Sequence, residues 1–162
     1  MKNVSLQQFT FRTGVVAAAM VAAWGGFTGT AGANPSDPVA QFTPTLTRVP
    51  GSDCAAILNA ETVAQPQSGT FGVRLKITQT GESCGAYYVT VHWRNVGTGL
   101  TSGQSQRVEG GTVVGLPDNV ITGMGMAPGA GKVEAWLDTY SEVYPQNKDL
   151  EHIAGRTTFT LG

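Results

Sequence analysis

His92 and His152 are the only histidines in this 162-residue chain, so a nucleophile–base–acid centre would have to use one of them. Neither setting favours that. No G-x-S-x-G turn is present to present a serine to a base. Alternation around His92 places it mid-strand, with Thr90 and Arg94 on its side, and His152 stands at a strand start beside Glu151. Both read as surface histidines. Asp138, Glu142, Asp149, Glu151 and His152 gather acidic groups over a short span, but calcium needs six to eight oxygens from a shaped loop, and the D-x-[DN]-x-[DN]-G pattern is absent. They read as a solvated acidic edge, and no metal or other cofactor is implied. Glu134 and Asp138, four apart on one strand face, stand about 13 Å apart by strand rise, too far for a glycosidase pair. The glycine-rich stretch Gly123–Gly131 departs from a phosphate loop, with Met126 at the first glycine position and Val133 after Lys132. Its glycines suit turns, and Met124 and Met126 suit packing over one end of the fold.

The elements that must position these residues follow from periodicity. Thr70–Thr80 alternates strictly, with Phe71, Val73, Leu75 and Ile77 on one face and Arg74, Lys76 and Thr78 on the other. Ala86–Val96 sets Tyr87, Val89, Val91 and Trp93 against Tyr88, Thr90, His92 and Arg94. Lys132–Ser141 sets Val133, Ala135 and Leu137 against Glu134, Trp136, Asp138 and Tyr140. Ile153–Leu161 reads as a last strand. Gln106–Leu116 and Asn119–Thr122 are shorter strand candidates around Pro117-Asp118, and Asn95–Gly103 reads as turn. Gln41–Val49 reads as an edge strand because Pro44 cannot donate to a central ladder. In Cys54–Ala64 the residues Ala55, Ala56, Leu58 and Ala60 favour a helical turn. About seven short strands without a long helix make an all-β sandwich or barrel.

The start of the chain has the form of an export tag. Lys2 and Arg12 precede a short apolar run, Val15–Phe27, and Ala31-Gly32-Ala33 offers small residues for cleavage. The run is broken by Gly25 and Gly26 before it reaches the length of a membrane anchor. The expected organisation is a signal peptide over 1–33, a linker over 34–40 and one sandwich domain over 41–162. Removing 33 of 162 residues leaves 129, and losing Lys2 and Arg12 leaves 8 basic against 11 acidic residues, a formal charge of −3. That balance argues against nucleic acid as the partner, and no later segment is long enough to span a bilayer as a helix. Cys54 and Cys84 form an even pair, which in an exported chain reads as one disulfide. The chain-entropy model gives a bridge closing such a loop about 3.5 kcal/mol. No cysteine stands at the cleavage site for lipid attachment, so the expected location is secreted or in the cell envelope.

Three local features resemble bacterial immunoglobulin-like modules: Trp93 on the inward face of a mid-chain strand, the N-x-G-x-G turn Asn95-Val96-Gly97-Thr98-Gly99, and the Ala127-Pro128-Gly129 corner leading into Lys132-Val133-Glu134-Ala135. The style of the tag and linker is similar to small secreted actinobacterial proteins. The resemblance implies an immunoglobulin-like antiparallel sandwich, in which Ala86–Val96 and Lys132–Ser141 lie side by side. The cysteines depart from the antibody pattern, because Lys132–Ser141 has none. The bridge would pin the N-terminal region to a turn rather than cross the core. The side-by-side arrangement brings Tyr88, His92 and Arg94 beside Trp136 and Tyr140 on the outward face, with Glu134 and Asp138 between. Aromatics mixed with arginine form a hot-spot composition, and the plainer reading is cross-strand pairing that only stabilises the sheet. The expected function is a non-enzymatic binding module for a protein, glycan or lipid of the envelope. The alternative is a carrier holding a small apolar or lipid ligand between the sheets. N-terminal sequencing of the secreted protein should give Asn34 as the first residue, and a mature chain beginning at Met1 overturns the export reading.

Overall fold

The computed structural model describes residues 37–142, 146 and 148–162. The expected tag, residues 1–33, and the first residues of the linker lie outside this range. The described chain is all-β apart from two short 3-10 turns, and its sheets are antiparallel, as expected for a β-sandwich. The strands are β1 (Thr45–Arg48), β2 (Ala55–Ala64), β3 (Phe71–Thr80), β4 (Tyr87–Asn95), β5 (Thr101–Glu109), β6 (Thr112–Val113), β7 (Val120–Ile121), β8 (Gly131–Glu142), β9 (Lys148–Asp149), β10 (His152–Ile153) and β11 (Arg156–Leu161). One sheet has the order β10-β1-β2-β3-β7 and the other β11-β8-β4-β5-β6, with β9 added to β8.

Period two decides which side chains meet between the sheets. Leu58, Val73 and Leu75 are buried on the first sheet, and Tyr87, Val89, Val91, Trp93, Val133, Ala135 and Leu137 on the second. Phe71 of β3 and Phe159 of β11 meet edge to face at 5.0 Å. The buried hydroxyls of Thr47 and Thr139 bond to each other at 2.7 Å, joining β1 to β8. Cys54 and Cys84 are bridged, tying the start of β2 to the β3–β4 connection. Gly81, at φ 105, makes room there, since a Cβ would come within 2.8 Å of Cys54 Sγ.

Several expectations change, among them the single strand Gln106–Leu116, which turns back at Gly110 and Gly111 into the β5–β6 hairpin. Cys54–Ala64 contains no helical turn: β2 buries Ala56, Leu58, Ala60 and Thr62 in alternation and pairs along its whole length with β3. Its tertiary pairing overrides the helix preference of alanine and leucine. β1 is not an edge strand, because β10 covers its other side, and Pro44 lies just before the ladder. The turn after β4 closes sooner than expected, so β5 begins at Thr101.

Asn95 closes the turn. Its Nδ2 donates to the carbonyls of Pro128 at 3.0 Å and Ala130 at 3.1 Å, while its Oδ1 accepts from the amides of Gly97 at 3.0 Å and Thr98 at 3.1 Å. One buried side chain therefore uses its donors and acceptor fully and joins the Asn95–Gly99 turn to the Ala127–Gly129 corner. Nearby, Trp93 Nε1 donates to the Gly125 carbonyl at 2.6 Å, holding the glycine-rich loop against β5. Met126 packs into the core there, as expected, whereas Met124 is 99% exposed and packs over nothing. Asn95→Ala strips partners from two carbonyls and two amides, and each buried group left unsatisfied costs about 1–3 kcal/mol. Urea unfolding should show a loss of about 3 kcal/mol; a loss below about 1 kcal/mol would contradict this role for Asn95.

Candidate functional site

The β4–β8 ladder builds the outer face. Tyr88 lies opposite Tyr140, Thr90 opposite Asp138, His92 opposite Trp136 and Arg94 opposite Glu134. On the other side of β8, Arg156 of β11 lies opposite Trp136. All five residues expected on this face, Tyr88, His92, Arg94, Trp136 and Tyr140, are therefore brought together on adjacent strands. Arg94 is exposed, and the other four are half-buried.

Trp136 sits between two neighbours. The His92 ring stacks on it with centroids 5.4 Å apart and planes 17° apart. From the β11 side, the Arg156 guanidinium carbon stands 6.0 Å from its centroid, a cation–π distance. The indole Nε1 donates to Asp138 Oδ2 at 3.0 Å. Asp138 Oδ1 faces His152 Nε2 at 3.1 Å, and Oδ2 faces His92 Nε2 at 3.5 Å. The Tyr140 hydroxyl lies 3.3 Å from the same His92 nitrogen. Asp138 is thus the hub of the face and not part of a solvated edge. His152 is not a free surface histidine either: only 15% of its side chain is exposed, and Nδ1 lies 2.7 Å from the Leu150 carbonyl.

Burial governs the titration here. Loss of water around His92 lowers its pKa below the ordinary 6.5, opposed by the nearby Asp138 charge. Burial raises Tyr140 above its ordinary value, with Asp138 and Asp149 adding to the rise. In the core, burial pushes Tyr87 up to about 12, and its hydroxyl has no hydrogen-bond partner.

The geometry also bears on catalysis. A catalytic histidine turns one ring nitrogen to the acid and the other to the nucleophile. His92 turns the same nitrogen, Nε2, to both Asp138 and Tyr140. His152 faces Asp138 and a backbone carbonyl, with no hydroxyl among these contacts. Among the described residues, no group of three or more His, Cys, Asp or Glu side chains is placed to hold a metal ion. The cluster is a cross-linked polar and aromatic surface with Tyr88 and Tyr140 at one end and Arg94 and Arg156 toward the other.

Asp138 falls on this face by its alternation in Lys132–Ser141, whereas His152 and Arg156 belong to it without a direct signal in their sequence setting. β10 is two residues long and carries no periodic signal, and its side chain reaches across from the other sheet. Arg156 could have been placed by extending the period-two reading of the last strand back to its first residue. No protein family, curated protein or solved structure matches the chain significantly.

Because burial depresses the His92 pKa, the unfolded chain binds a proton more readily than the folded one. The stability this group contributes is full above about pH 6.5 and is lost as pH falls through the folded-state value. An NMR titration of the folded protein should place the His92 midpoint below 6.5, and His92→Gln should flatten the acid-side loss of stability in this window. A midpoint at or above 6.5 contradicts the burial argument.

Proposed function

We propose that the mature chain is an exported, non-enzymatic binding module of the cell envelope or extracellular space, and that it engages its partner through the outer face of β4 and β8. The observation that carries this reading is the register that sets Tyr88, His92, Trp136 and Tyr140 side by side, with Arg94 and Arg156 around them. Large aromatic side chains with arginine are the residues that dominate interface energetics. Here they are held in place before any partner arrives, which reduces the ordering cost of association. The partner classes that suit such a face are a protein, a glycan or a lipid of the envelope. The Cys54–Cys84 bridge is compatible with an oxidising location outside the cytoplasm.

The immunoglobulin-like reading belongs to the same proposal. Its support is a central strand with a buried tryptophan, β4, paired with the penultimate long strand β8, which pairs in turn with the last strand β11. A second reading, carriage of a small apolar ligand, draws on a different observation. A groove of about 460 Å³ on the first sheet is lined by Leu46, Ile57 and Ile153. These three lie directly across β1, β2 and β10 from one another and are 43%, 43% and 66% exposed. This groove opens on an outer face, whereas the space between the sheets is filled by the buried core.

Replacing Trp136 and Tyr140 together by alanine tests the face. With the disulfide intact and the circular dichroism unchanged, capture of envelope components by the immobilised double variant should fall at least about 30-fold, the effect of losing one hot spot. Full capture by a folded double variant eliminates the face.

A further inference from the structure

We propose that the open edge of β3 accepts an extended peptide segment of another chain by strand addition. β3 pairs with β2 over all ten of its residues. On its other side, β7 pairs only with Val73 and Arg74. The stretch Leu75–Thr80 therefore has no strand ladder on that side among the described residues; the turn at Pro117–Asn119, which leads into β7, packs beside β3. An unpaired strand edge presents a row of main-chain donors and acceptors that an incoming strand can satisfy.

Three side chains give this edge a chemical preference. Ile77 points between the sheets and is only partly buried, so apolar surface remains for an inward side chain of the added strand to cover. Two residues on, Gln79 Oε1 is buried with no hydrogen-bond partner. Such an atom costs stability until a donor reaches it, and the next inward residue of an added strand stands beside it. On the outward face, Lys76 is exposed and forms no salt bridge with any described residue. An acidic residue opposite Lys76 completes a cross-strand pair. The segment that fits is extended, with an aliphatic residue opposite Ile77, a hydroxyl or amide donor opposite Gln79 and an acid opposite Lys76. The same Lys76 is the kind of edge charge that hinders pairing between copies of the chain, which favours a heterologous acidic strand over self-association. This edge lies on a different sheet from the aromatic face and does not depend on it.

The probe is the blocked hexapeptide Ser-Thr-Thr-Ile-Glu-Val, which in antiparallel register spans Thr80 to Leu75, sets Thr, Ile and Glu opposite Gln79, Ile77 and Lys76, and stops short of the residues that β7 pairs. Added to the isotopically labelled protein, it should move the amide resonances of residues 75–80 and saturate below ~1 mM. The same peptide methylated on alternate backbone nitrogens should not bind, because strand addition uses the main chain. Lys76→Glu should weaken binding about fivefold, and exchanging the peptide's Glu for Lys should restore it. The folded Trp136→Ala, Tyr140→Ala variant should bind the peptide as the unaltered protein does, which separates this site from the aromatic face. No saturation at ~1 mM, shifts confined to other residues, undiminished binding of the methylated peptide or failure of the charge exchange overturns the proposal.

Discussion

The register of β4 against β8 is the constraint on which the rest of the molecule depends. Eight consecutive residue pairs join these strands at the centre of their sheet. Side chains alternate with period two, so a slip of one residue exchanges the faces of the slipped strand. Tyr87, Val89, Val91 and Trp93 would turn to solvent, and Tyr88, His92 and Arg94 would turn to the core. Burying Arg94 without a partner would be strongly unfavourable, so the pattern specifies the register sharply. Local contacts reinforce it. Asn95, the last residue of β4, holds the carbonyls of Pro128 and Ala130 immediately before β8 begins. On the inner side Thr139 bonds Thr47 of the opposite sheet. On the outer side Asp138 accepts from its own strand and faces histidines on β4 and β10.

Where one face of a strand is apolar and the other polar, the fold is legible in the residues. β3, β4 and β8 alternate cleanly, and their inward apolar residues are buried except for Ile77 near the end of β3, which is partly buried. β2 hides the same period. Its outward residues include Ala55 and Ile57, so apolar side chains occupy both faces and the alternation is blurred, while alanine and leucine add a helical preference. The first part of β5, from Thr101 to Gln106, has no aliphatic side chain, so nothing marks it as strand; its pairing with β4 makes it one. Four strands of two residues, β6, β7, β9 and β10, are products of tertiary pairing and too short to carry any period. Alternation made the outward residues of β4 and β8 legible, while their adjacency was only what the immunoglobulin-like resemblance implied. The His152–Asp138 contact was not legible, because it joins different sheets through one of these short strands.

The same network that organises the outer face limits how it can recognise anything. The ring of Trp136 has His92 against it on one side and the Arg156 guanidinium on the other. Its N–H is already given to Asp138. A ligand that needs a bare indole plane, as in stacking on a sugar ring, would first have to displace one of these neighbours. What the face offers without rearrangement is different: aromatic edges, the Tyr88 and Tyr140 rings, and the guanidinium groups of Arg94 and Arg156. Edges of aromatic rings carry partial positive charge, and guanidinium groups bind planar anions in a fixed fork. The proposed face therefore matches a partner that brings carboxylate or carbonyl oxygens to a flat contact. Because Asp138 is occupied by donors from its own fold, its oxygens are less available to a partner than the guanidinium groups of Arg94 and Arg156, and Glu134 opposite Arg94 and Asp149 opposite Tyr140 confine the positive character to the neighbourhood of those two groups.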